Sequence, residues 1–150
     1  MQSASMFLIT KEDLSLSLQK TVMEKYLRLY RYVFWTGYFA VLIATFLPIS
    51  FRVEKIRLGP EAFSIRTDHL LHFTVYFLIC MFYLFGERKG LILFDKNPLK
   101  RFILLVMILA TVTEVAQIWV PARAFNIFDW VANMAGILAG WGIIRIAGKR

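Results

Sequence analysis

Asp68, His72 and Tyr76 stand four residues apart, so a helix would stack a carboxylate, an imidazole and a phenol on one face. Glu114 and Gln117 are three apart, with Thr111 one step back on the same stripe, and Asp129 and Asn133 are four apart. Arg123 falls between those last two pairs. Carboxylates beside an imidazole can move protons or hold a cation, and a guanidinium matches phosphate or carboxylate through paired hydrogen bonds. All of these groups lie in or beside apolar runs, where an ionisable side chain is costly enough to point to function. Asp68, His72, Glu114 and Asp129 are the candidates for catalysis. All four, together with Tyr76, Gln117, Arg123 and Asn133, form a candidate ligand-binding set.

Glu114 lies about six residues before Val120, roughly 9 Å below the end of a helix finishing there. An isolated carboxylate at that depth needs a partner. Arg123 is the nearest cation in sequence, so a contact with Glu114 or Asp129 is expected. Plainer roles exist for most of the others. Asp68 and Asp129 can be helix N-caps, His69 and His72 interfacial histidines, and Gln117 and Asn133 hydrogen-bonding glue between helices. Gly136 and Gly140, four apart, are expected to let their helix approach a neighbour closely, and Cys80 reads as a small core residue.

The elements that must position these residues are membrane spans. Apolar residues are 59% of the 150, against roughly 45–50% in soluble domains, and mean hydropathy is +0.60. With 14 Phe, 6 Tyr and 4 Trp, disorder is excluded. A single cysteine excludes an internal disulfide framework and a cysteine-based zinc site. Four stretches are close to the length that crosses a bilayer: 32–50, 69–86, 102–120 and 130–147. The first is read as a span rather than a cleavable signal, because acidic residues precede it and no small-residue cleavage site follows.

The segment from Thr10 to Arg31 is amphipathic, with Met23, Tyr26, Leu27 and Tyr30 on one face and Lys20, Lys25, Arg28 and Arg31 elsewhere. It suits a helix lying on an anionic leaflet, or equally a solvated extension of the first span. Thirteen of the 18 basic residues fall on the side holding both termini and the second connection, and five on the other. The positive-inside rule then makes both termini cytoplasmic and turns the polar cluster outward. The expectation is an all-α integral membrane four-helix bundle with an N-terminal interfacial helix. Residues 1–31 form the N-terminal segment and residues 32–150 the membrane domain.

The series Asp68-x3-His72-x3-Tyr76, Glu114-x2-Gln117 and Arg123-x5-Asp129-x3-Asn133-x2-Gly136-x3-Gly140 resembles the VanZ-like family of small bacterial membrane proteins. The likeness runs from Asp68 to Gly140. Family members often carry Lys directly after the first Asp, where this chain has His69. The resemblance implies a cell-envelope setting in the bacterial inner membrane and, through the family's namesake, an association with teicoplanin resistance. It implies no particular reaction.

Two classes of function fit. One is a protein that binds or remodels a lipid or lipid-linked envelope component, with Arg123 on a phosphate or carboxylate. The other is an intramembrane hydrolase or transferase with Glu114 or His72 as general base. A proton-coupled transporter ranks third, since four spans would need a homo-oligomer to form a pathway. Asp68, His72, Glu114 and Asp129 have the atoms to ligate a metal, but the sequence has no His-Glu-x-x-His signature, nucleophile elbow or phosphate-binding loop. No metal and no cofactor is therefore expected. The expected partners are membrane lipids and a lipid-linked precursor, and no nucleic-acid module is present.

Overall fold

A computed structural model describes residues 11–46, 67–120 and 125–148. Among these residues the chain forms α1 (Lys11–Phe46), α2 (Thr67–Arg88), α3 (Pro98–Ala116), a 3₁₀ turn (Gln117–Trp119) and α4 (Ile127–Ala147). Three segments are long and apolar enough to cross a membrane: Asp68–Arg88, Pro98–Trp119 and Ile127–Ala147. They take in the second and fourth expected spans and all of the third but its last residue, Val120. The first, 32–50, runs past the described residues at 47–50, and α1 up to Phe46 does not meet the same criterion.

α1 is one helix of 36 residues, about 54 Å long. It continues through Arg31 and Tyr32, where the sequence has neither glycine nor proline to break it. The segment before Tyr32 is therefore an extension of α1 and not a separate interfacial helix. Its first buried side chain is Tyr30, which stacks on Phe82 with ring centroids 5.1 Å apart. Next to it, Arg31 ties α1 to the connection after α2 through the Ile92 carbonyl at 3.1 Å and Asp95 at 3.3 Å.

Local sequence sets the ends of the other helices. Gly90 adopts φ +70°, which lets Gly90 N–H reach the Glu87 carbonyl and Leu91 N–H the Gly86 carbonyl. This pair of bonds is the left-handed glycine closure of a helix C-terminus. Pro98 opens α3 at a position where its missing N–H costs nothing. Asn126 caps α4 by accepting from Phe128 N–H, while its own amide donates to Asp129 Oδ2 at 2.8 Å. Asp129 is thus the third residue of α4, reciprocating a cap rather than serving as one.

α2 and α4 form the most extensive helix pair. They run parallel, with His69 meeting Asp129, His72 meeting Asn133 and Cys80 packing at Gly140. α3 runs antiparallel to both: Tyr83 stacks on Phe102 at 4.1 Å near one end, and Tyr76 bonds Thr113 nearer the other. A Cβ at Gly136 would collide with the Phe73 carbonyl, and one at Gly140 with the Cys80 side chain. Both glycines therefore lie against α2. Buried polar side chains and exposed apolar ones reverse the usual soluble pattern. Glu114 and Asn133 are fully buried, while Leu78, Leu104, Phe128 and Leu138 face outward. Outward apolar surface suits lipid.

Candidate functional site

The first turns of α2 and α4 and the last turns of α3 meet at one end of the molecule, and the polar side chains converge there. His72 sits at the centre. Its Nδ1 lies 3.1 Å from Asn133 Oδ1 and 3.3 Å from Glu114 Oε1, and its Nε2 lies 3.8 Å from Asp68 Oδ1 and 4.0 Å from Asp129 Oδ2. Asn133 donates its amide to Glu114 Oε1 at 2.7 Å. That bond turns the Asn133 carbonyl oxygen toward His72, so His72 Nδ1 is the donor. Glu114 Oε2 is buried and has no hydrogen-bond partner among the described residues.

Asp129 is held from two sides, by the Asn126 amide at 2.8 Å and by His69 Nδ1 at 2.6 Å. The cluster is graded in exposure. The Glu114 side chain is fully buried, those of His72 and His69 are about one-fifth exposed, and that of Asp68 is half exposed. A ligand approaching from outside would meet Asp68 first, then the His72 ring, with Glu114 and Asn133 behind it. Two carboxylates in front of an imidazole and one behind can hold a cation or carry a proton inward.

Asp68, His72, Glu114, Asp129 and Asn133 thus come together. Tyr76 continues their face one turn down, but its hydroxyl donates to Thr113 Oγ1 at 2.9 Å, and Thr113 passes its own proton to the Ala110 carbonyl at 3.1 Å. Gln117 is buried in the 3₁₀ turn, and among the described residues no hydrogen bond joins its side chain to the cluster. Arg123 lies outside the described residues, and with it the expected contact to Glu114 or Asp129. Thr111 faces outward and accepts from the Trp130 indole at 3.2 Å. Sequence reasoning missed three participants: His69, Asn126 and Thr113. The signal for His69 was its position three residues before His72, which puts both imidazoles on the α2 face that meets α4.

A family model described as VanZ/LLP1 matches residues 6–148, nearly the whole chain. No curated protein and no solved structure matches the sequence.

Proposed function

The chain belongs to the VanZ/LLP1 family, and we propose that it binds the polar headgroup of a lipid or lipid-linked envelope component in the cluster centred on His72. The observation behind this reading is the graded polar path from half-exposed Asp68 through His72 to fully buried Glu114, at the end of apolar helices. Headgroups occupy that depth of a bilayer, and the outward apolar surface of α2 and α4 would place acyl chains beside it. The positive-inside rule, applied to the distribution of basic residues, supports an extracytoplasmic position for this end, where envelope precursors are used. Teicoplanin sensitivity is then a consequence of how much of such a component is available. The purified protein tests the reading. Native mass spectrometry of the detergent-solubilised wild type should retain a headgroup-bearing lipid after delipidation, and His72→Gln should not. Equal retention by both would remove the headgroup from this site.

The ring geometry favours an intramembrane hydrolase or transferase as the second reading. Asn133 and Glu114 fix Nδ1, leaving Nε2 on the accessible side, as in sites where a buried acid orients an imidazole that takes a proton from water or a hydroxyl. Turnover of a lipid-linked substrate by wild type but not by His72→Gln would select this reading.

A further inference from the structure

The two nitrogens of the His72 ring face different partners. His72 Nδ1 faces the oxygens Asn133 Oδ1 and Glu114 Oε1, which accept from a proton-bearing nitrogen there. In the neutral ring Nε2 then presents a lone pair, and it faces Asp68 Oδ1 at 3.8 Å and Asp129 Oδ2 at 4.0 Å. These gaps are too long for hydrogen bonds, and a lone pair offers nothing to a carboxylate. Three electron-rich atoms converging on one point call for a positive charge between them.

We propose that Asp68, His72 and Asp129 bind a divalent transition-metal ion, zinc or manganese, through His72 Nε2 and one oxygen of each carboxylate. The three donor atoms lie within 4.8 Å of one another. Donors at 2.0–2.2 Å from zinc stand about 3.4 Å apart in a tetrahedron, and the Asp68 and Asp129 oxygens now stand 3.8 and 4.0 Å from Nε2, so each must approach the ring by about half an ångström to close the set. One imidazole with two carboxylates is a borderline donor set, better matched to zinc or manganese than to the oxygen cages that calcium and magnesium prefer.

Glu114 backs the same ring from inside the protein. It is fully buried, its Oε2 is without a hydrogen-bond partner among the described residues, and its Oε1 stands behind the His72 ring at 3.3 Å. A carboxylate behind a histidine fixes its tautomer and raises its basicity toward a metal. His69 and Asn126 hold Asp129 in the same supporting way. Asp68, Asp129 and Glu114 bring three carboxylates to one imidazole, and among the described residues no Lys or Arg pairs with them. Three protein donors leave at least one coordination position for an outside oxygen, such as a headgroup phosphate or a water. In that last respect the inference rests on the headgroup-binding reading and deepens it.

The test uses the full chain in detergent, stripped with a chelator, then dialysed against zinc or manganese and analysed for bound metal. One ion per chain is expected, with a rise in melting temperature as the ion is added. Asp68→Asn should weaken binding by about 10-fold or more while leaving the metal-free melting temperature unchanged or raised, because Asp68 is half exposed and its loss removes one of the carboxylates crowded on His72. Asp129→Asn should weaken it as well, and Asp95→Asn, which alters a distant surface pair, should not. Absence of a bound ion, or affinity unchanged in both Asp68→Asn and Asp129→Asn, would overturn the proposal. The lipid readout separates the two claims. Lipid retained by protein that takes up no metal overturns the metal site and leaves headgroup binding standing. Metal bound at these residues without lipid supports the metal site and removes the headgroup.

Discussion

His69 Nδ1 lies 2.6 Å from Asp129 Oδ1, joining the first turn of α2 to the first turn of α4. The next rung is His72 on Asn133. The two helices are parallel neighbours with a nearly constant offset of 60 to 61 residues in sequence. This register lets single residues far apart in the chain build one site.

If that rung carries stability, His69→Ala should lower it by about 1–3 kcal/mol, since Asp129 is almost fully buried and would lose a charge-assisted partner. His69→Lys should recover part of the loss by restoring a donor to Asp129. Melting temperatures of the two variants in one detergent decide the matter. Equal destabilisation by Ala and Lys would show that the imidazole shape, not the bond to Asp129, is what the site needs.

The two small residues of α4 make unequal contacts with α2. Gly136→Ala would drive a methyl group into the Phe73 carbonyl, which is backbone, whereas Gly140→Ala would meet the Cys80 side chain. Overpacking costs about 1–3 kcal/mol, so Gly140→Ala should fall in that range and Gly136→Ala above it. Cys80→Gly should restore part of the Gly140→Ala loss and none of the Gly136→Ala loss. Thermal unfolding of the single and double variants would show this order, and equal effects at the two glycines would contradict it.

Glu114→Gln keeps the shape of a fully buried side chain and an oxygen for the Asn133 amide. Its melting temperature should stay close to wild type, while sensitivity to envelope-targeting antibiotics should match that of a deletion strain. Glu114→Ala removes the packing as well and should cost about 2–5 kcal/mol. Both substitutions unfolding the protein to the same degree would mark Glu114 as structural.

Orientation is checked by single cysteines placed at Glu61, Asn126 and Asn97 in a Cys80→Ala background. An impermeant thiol reagent applied to intact cells should label the first two and spare the third. Labelling at Asn97 alone would turn the polar cluster to the cytoplasm.

Much of the site was legible because intramembrane ionisable residues are few and costly, so Asp68, His72, Glu114 and Asp129 stood out individually. What the sequence could not supply was rotation and register. Thr111 sits at the right spacing from Glu114 for a shared stripe, yet the inward face of α3 is centred on Phe102, Val106, Leu109, Ala110 and Thr113, which leaves Thr111 on the rim and Thr113 within. His69 passed as a bystander because its partner lies on another helix, and parallel registration of α2 with α4 is a tertiary fact. The length of α1 was harder to read, since an amphipathic surface helix and a solvated extension of a span share one pattern of residues.

His72 as the functional centre, rather than a strut between α2 and α4, is the claim on which the headgroup and metal readings both depend. The most direct measurement expresses wild type, His72→Gln and Asp68→Asn in a strain deleted for the gene and compares sensitivity to envelope-targeting antibiotics at matched membrane levels. Melting temperature is recorded for each purified chain. The account predicts that both variants fold to within a few degrees of wild type and fail to complement. Full complementation by both, at wild-type abundance, would contradict it.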